Sequence, residues 1–360
     1  LKKIIFAALS LLPLLVSGQK VDLDKFKFTS QFRSLPAIRL DSTYHTYNVK
    51  VEGTRLMQTY LNGLNPENSV NLEGWRMLKE QGHITIQVKL EDLLPESFSV
   101  KEREEVSKDR SGRETRRRLY QQEVVYTFSA FADISDYKGA FIKKIILADR
   151  GYKQVYHSPE FAIRQMAEAY FLINTFATTE QLYKNCVNRA MRYLSEQATY
   201  NFGYGETTIT EHMWILDSKK HPEYQAHRQA FLTINEVLFG LSANRPLDGV
   251  REKLQPAIDY FESIKKRYAS TSKHERKLRY ASYYNLAVLY YYLDDPQAMR
   301  KEATGLILND FDARDGKSFE STALYLKNLF DETGLRSRHF VIDTATFSGP
   351  ALPTSGVAVK

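Results

Sequence analysis

The sequence predicts an α+β protein: a small N-terminal antiparallel β-domain followed by an antiparallel stack of α-helices. Two observations carry that reading. Apolar residues recur with period two up to about residue 150 and with helical spacing after it. Composition is that of folded domains, with 43% hydrophobic and 26% charged residues.

The first 18 residues show the three zones of a cleavable export signal. Lys2 and Lys3 are positive, and Ile4 to Val16 is apolar except for Ser10 and the break at Pro13. Val16 and Gly18 then stand at the −3 and −1 positions of a cut before Gln19. About thirteen apolar residues are too few to cross roughly 30 Å of hydrocarbon, so no transmembrane span is expected after cleavage. No Cys follows the apolar run, so no bacterial lipid anchor is expected. The single cysteine, Cys186, shares a helical face with Leu182 and Ala190 and reads as a packed small hydrophobe. An exported chain with neither a disulfide nor an Asn-x-Ser/Thr acceptor fits the periplasm or outer membrane of a Gram-negative bacterium. The net charge of +7 includes Lys2 and Lys3, leaving about +5 on the mature chain. At that address the charge points to envelope proteins or an anionic envelope surface, and not to nucleic acid.

Residues 19–150 read as the β-rich domain. In His83–Leu90 the residues Ile84, Ile86, Val88 and Leu90 fall on one face. Val124 to Ile134 is a second strand, with Tyr126, Phe128, Ala130 and Ala132 sharing a face. Asp136-Tyr137-Lys138-Gly139 turns it into a third at Ala140–Leu147, and Thr43–Val51 makes a fourth. A short helix is expected at Leu72–Gln81, with Gly82 marking the next strand. Lys101–Arg118 is crowded with both signs and ends in Arg116-Arg117-Arg118. It reads as a solvated hairpin loop, with the three arginines as a candidate contact for acidic surfaces.

Residues 151–335 read as the helical domain. Ser158 with Pro159 suits a helix start, and Ile163, Met166, Ala167, Tyr170 and Ile173 follow at helical spacing. A second helix runs from Thr179, and Asn201 to Thr210 reads as a loop. Further helices lie around His227–Leu241, Arg251–Tyr268, His274–Leu293, Gln297–Asn309 and Ser318–Phe330, giving seven with short connections. Residues 336–360 lose periodicity and read as an extended tail.

Tyr283, Leu286, Ala287 and Tyr290 sit where the first helix of a tetratricopeptide (TPR) repeat places an aromatic, a Leu, a small residue and a Tyr. Met299, Ala303 and Leu306 follow as the second helix. Asp294-Asp295-Pro296 stands where that family usually has a Gly-Asp turn. Ala257, Phe261 and Ile264 match the second helix of the preceding repeat, at an interval of 42 residues rather than the usual 34. Residues 254–309 therefore resemble a TPR-like helical domain, which implies a curved stack that binds protein segments. Glycan-binding outer-membrane proteins of the SusD type also resemble TPR stacks, but they carry a lipoprotein Cys and are longer.

Chemistry-bearing motifs are absent from the sequence. Glu223 and His227 share a helical face near His221, but a metal needs three or more convergent ligands, and the segment reads as a solvent-facing helix start. Glu211-His212 is isolated, and Gly203-Tyr204-Gly205 is too short to cradle a phosphate. No catalytic, metal-binding or cofactor-binding residue is predicted, and no cofactor. The remaining feature is tyrosine, 23 in the chain, with Tyr284 and Tyr291 on a stripe away from the TPR-like packing face. These two, with Arg116, Arg117 and Arg118, are the candidate partner surface.

The sequence reading is thus an exported, non-catalytic protein-binding or assembly component of the envelope. The alternative is a glycan-binding or glycan-processing protein that uses the aromatic surface. Carboxylates converging in an aromatic cleft mark the second; a long groove without ionisable pairs marks the first. The address itself is tested by intact-mass analysis of protein from the envelope fraction. A mature N-terminus at Gln19 is expected, and retention of residues 1–18 or a lipid adduct would contradict it.

Overall fold

Strands dominate the chain up to His157 and helices dominate beyond Arg164, so the class is α+β. The computed structural model describes residues 20–351 except 61, 62 and 109; residues 1–19, which include the expected export signal, and residues 352–360 lie outside the described residues. The strands before the first long helix are β1 (Leu23–Arg33), β2 (Thr46–Gly53), β3 (Arg76–Met77), β4 (Ile84–Leu90), β5 (Leu94–Lys108), β6 (Glu114–Thr127), β7 (Ala130–Asp136), β8 (Phe141–Ala148) and β9 (Gln154–His157), with the short helix α1 (Arg55–Tyr60) among them. Then come α2 (Arg164–Phe202), β10 (Glu206–Leu216), α3 (Tyr224–Phe239), α4 (Val250–Arg267), α5 (Lys273–Tyr292), α6 (Pro296–Asn309) and α7 (Ala313–Thr333).

These elements form two compact units, divided at Gly205/Glu206 rather than near residue 150. One gathers Ser34–Gly205 with the described residues from Ile342 onward; the other gathers the described residues up to Arg33 with Glu206–Val341. Pairing explains the difference from the sequence reading. The segment before Ser34 is strand β1, which pairs antiparallel along its whole length with β10. The first helix expected in the helical domain instead stays with the sheet.

In the unit of Ser34–Gly205 a five-stranded sheet has the order β3-β2-β4-β7-β8, and a three-stranded sheet the order β5-β6-β9. The larger sheet is mixed, because β2 runs parallel to both β3 and β4. Ile84, Ile86, Val88 and Leu90 face one way and are buried. The apolar face is covered by the C-terminal half of α2, through Leu182, Cys186, Met191, Leu194 and Phe202. Cys186 is buried in that packing, and burial pushes its thiol pKa up. Val124–Ile134 is two strands, because the chain leaves β6 at Phe128 and enters the other sheet at Ala130. The expected helix at Leu72–Gln81 is absent: Leu72 and Trp75 are buried in a turn, and the Trp75 indole N–H donates to the Phe202 carbonyl at 2.8 Å. Gly82 passes so close to β2 that a Cβ there would lie 2.5 Å from the Tyr47 Cα.

The charged segment Lys101–Arg118 is strand and not loop. β5 and β6 pair antiparallel through it, with a turn that includes Gly112 at φ +81°. Ion pairs stitch the ribbon, Arg118–Glu102 at 3.4 Å, Arg116–Glu104 at 3.8 Å and Lys108–Glu114 at 3.1 Å. Cross-strand charge complementarity therefore replaces the apolar alternation that marks other strands.

In the other unit consecutive helices from α3 to α7 pack on one another, and α5 and α3 also pack against the β1–β10 ribbon. Asn285 of α5 acts as a strand edge toward β10. Its carbonyl accepts from Trp214 N–H at 2.9 Å, and its amide donates to the Trp214 carbonyl at 2.8 Å. The expected tail is ordered within the described residues. Arg338 and His339 are buried, and the Arg76 guanidinium donates to the carbonyls of Ala345 at 2.8 Å and Phe347 at 2.9 Å.

Candidate functional site

Four elements of the Glu206–Val341 unit enclose a cavity of about 260 Å³. β10 contributes Ile209 and Glu211. α5 contributes Tyr284, Val288, Tyr291 and Tyr292. α6 contributes Met299, and α7 Asp315, Ser318, Phe319 and Thr322. The two tyrosines picked from the sequence therefore line one site, but not as an open stripe. Tyr284 is only 7% exposed, and its ring packs edge-on against Phe319 and Trp214. Tyr291 is half-buried, with the Arg338 guanidinium 4.2 Å from its ring centre and the Phe32 ring edge-on to it. The face expected to be free is covered by the β1–β10 ribbon on one side and by α6 and α7 on the other.

Two residues that seemed isolated in sequence form a relay at this wall. Glu211 Oε1 lies 3.1 Å from His212 Nδ1, and His212 Nε2 lies 3.0 Å from the Tyr284 hydroxyl. A neutral imidazole satisfies both contacts by donating from Nδ1 to the carboxylate and accepting from the phenol at Nε2. Burial, with Lys25 nearby, lowers the His212 pKa despite Glu211 and Asp315. Burial also raises the pKa of Tyr284, so the phenol keeps its proton. Across the cavity the Tyr280 hydroxyl donates to Asp315.

Tyr292 is fully buried, lines the cavity, and its hydroxyl has no hydrogen-bond partner among the described residues. Sequence inspection could not single it out from its neighbours Tyr290 and Tyr291. Glu211, His212 and Asp315 were missed because they come from separate segments, β10 and α7, that only the fold brings to α5.

The arginine candidates lie in the other unit. Arg116 and Arg118 are engaged by Glu104 and Glu102, and Arg117 stands directly opposite Glu105 in the ribbon. They are exposed, but they are members of a charge ladder of both signs and not a basic patch. No group of three or more His, Cys, Asp or Glu among the described residues is placed to hold a metal ion. No helix among them is long and apolar enough to cross a membrane.

His221, Glu223 and His227 correct the sequence reading most sharply, because all three are buried. The Glu223 carboxylate accepts from Arg267 at 2.8 Å and from the Tyr268 hydroxyl at 2.9 Å. His221 Nδ1 accepts from Glu223 N–H at 3.1 Å. His227 Nδ1 accepts from Leu216 N–H at 3.4 Å, while its Nε2 has no partner among the described residues. The rings of Tyr260 and Phe261 stand edge-on to it. The expected solvent-facing helix start is thus the seam between β10, α3 and α4.

No protein-family model matches the chain, and no curated protein sequence matches it.

The buried histidines set a pH dependence. Burial pushes the His227 pKa down to about 3, and it also lowers His45, His83, His221 and His339. The unfolded chain therefore takes up protons below about pH 6.5 that the folded chain refuses. Stability is full above that pH and falls as the pH drops toward 3. For His227 alone the loss between about pH 7 and pH 5 is about 2 kcal/mol. Denaturant unfolding at the two pH values should show His227→Asn losing less stability on acidification than wild type, by about that amount. Equal acid sensitivity would remove His227 from the cause.

Proposed function

We propose that the chain is an exported, non-catalytic binding or assembly component of a bacterial envelope, which receives a segment of an envelope protein at the cavity beside Tyr284 and Tyr291. The unpartnered Tyr292 hydroxyl carries this reading. A buried hydroxyl left unsatisfied costs about 1–3 kcal/mol, and a ligand N–H that donates to the phenol oxygen recovers part of that cost. Glu211 accepts from the His212 ring and the His212 backbone N–H, Asp315 accepts from the Tyr280 hydroxyl, and both keep further acceptor capacity. Carboxylates beside phenol faces favour a cation, so the group that fits is a Lys or Arg side chain, with about 0.5–2 kcal/mol available from each ring it covers. A cavity of about 260 Å³ takes one such side chain.

The packing supports a TPR-like stack in this unit. Leu286, Ala287, Met299, Ala303 and Leu306 are fully buried, as are Phe261 and Ile264. Tyr283 rests on Gly305, where a Cβ would come 2.3 Å from the ring. Such stacks present a preformed surface, so binding needs little rearrangement.

A second reading is a glycan at the same cavity, and Glu211 and Asp315 in an aromatic lining are its expected mark. Ser318 and Thr322 hydroxyls beside Phe319, with two carboxylates, suit a sugar's hydroxyl groups and its apolar face. Calorimetric titration with Lys- and Arg-containing peptides and with oligosaccharides separates the two. The peptides should bind, and Tyr292→Phe should weaken them by about tenfold while unfolding no earlier than wild type. Binding of oligosaccharides alone would favour the second reading. Undiminished binding to Tyr292→Phe would take the ligand away from this cavity.

A further inference from the structure

The N-terminal half of α2, in the Ser34–Gly205 unit, is apolar on the side it turns away from the protein. Its inward side is well anchored. Ala167 is fully buried, Tyr170 packs on Phe161 with ring centres 5.5 Å apart, and Phe171 packs on Phe98 at 5.2 Å. Outward, Leu172 is 80% exposed, Ile173 79% and Met166 53%, and Phe176 is 61% exposed while one side of its ring rests on Tyr60 at 5.3 Å. Residues 169–179 carry no charge. Helices with apolar residues on every side are normally buried on every side. These four side chains alone expose on the order of 500 Å², which is the largest patch a typical monomer carries.

We propose that two copies of the chain associate through this face, their α2 helices antiparallel about a two-fold axis. Three features select a second copy. Met166, Ala169, Ile173 and Phe176 follow one another at intervals of three, four and three, the a/d spacing of a helix–helix seam, with a kink at Asn174 (φ −111°, ψ 17°) between the last two. That spacing reads the same in both directions. An antiparallel two-fold axis near Phe171 therefore sets Met166 against the Phe176 of the other copy and Ala169 against its Ile173, small against branched. The charges also fit. The uncharged stretch is bounded by two ion pairs internal to the helix, Arg164–Glu168 at 2.9 Å and Glu180–Lys184 at 2.5 Å. Bringing two copies together thus buries no unpaired charge. An anionic lipid surface would call for an excess of basic residues at these flanks, and they sum to zero. The area agrees as well: an apolar centre of this size needs only its polar rim to reach the roughly 800 Å² that each partner gives to a standard interface.

Sedimentation velocity of the full chain over a wide range of concentration tests the proposal. Wild type should be dimeric. Ile173→Lys should weaken association by more than about tenfold while melting like wild type, because the side chain is exposed in the single chain. Met166→Lys, on the same seam, provides the second variant and should behave alike. A wild type that stays monomeric throughout overturns the proposal, as does a dimer that both variants leave intact. A monomer that co-sediments with phospholipid vesicles and loses them on Ile173→Lys would assign the face to a membrane, and that too overturns it.

Discussion

One buried ion pair organises the unit that holds the cavity. Asp294, in the turn between α5 and α6, accepts from Arg338 Nε at 2.7 Å, from Arg338 N–H at 2.6 Å and from the Ser337 hydroxyl at 2.9 Å. Arg338 also donates to the Tyr291 carbonyl at 2.6 Å, and its guanidinium lies between the rings of Phe32 and Tyr291. Its own carbonyl accepts from Arg33 N–H at 2.8 Å. One side chain thus ties together the end of β1, the end of α5, the α5–α6 turn and the segment after α7. Tyr291, a wall of the cavity, is held from both sides by this arrangement. Asp294 itself sits at φ +55°, a left-handed conformation that glycine adopts more cheaply. The carboxylate is the reason for having Asp there.

That pair also shows what the sequence could and could not disclose. Asp294-Asp295-Pro296 was recognisable as a turn where TPR-like repeats use Gly-Asp. Asp295 does cap α6 through Ala298 N–H at 2.9 Å, with Pro296 in the first turn. Nothing nearby announced that Asp294 answers to Arg338, 44 residues on. The helices from α3 to α7 were legible because their apolar spacing and their ends are local. So was the face of Ile84, Ile86, Val88 and Leu90. The β1–β10 ribbon was not, although Phe26, Phe28 and Phe32 alternate in the required way, because the partners lie some 180 residues apart. Without that ribbon the tyrosine stripe of α5 looked free. The pairing of Arg116 and Arg118 with Glu104 and Glu102 was likewise written in signs of charge rather than in apolar periodicity.

The cavity shows the same tension between stability and use. α5 buries tyrosines on nearly every side, and two of their hydroxyls find protein partners. Tyr280 donates to Asp315, and Tyr284 meets His212. Tyr292 does not, so the core around it carries an unmet polar group where the cavity adjoins it. His227 is a second such case, buried neutral between aromatic edges, and the cost of that burial appears as sensitivity to acid. Both are features of a fold whose core is rich in polar aromatics and depends on the completeness of its hydrogen bonding.

Replacing Asp294 by Gly tests the organising role of the pair most directly, because backbone and side chain predict opposite signs. Gly relieves the left-handed conformation and by itself stabilises by about 1 kcal/mol. Removing the carboxylate leaves Arg338 buried without a counter-charge, at a cost of about 3–5 kcal/mol. The unfolding free energy of Asp294→Gly should therefore fall by about 2–4 kcal/mol. An Asp294→Gly protein as stable as wild type, or more so, would contradict the account.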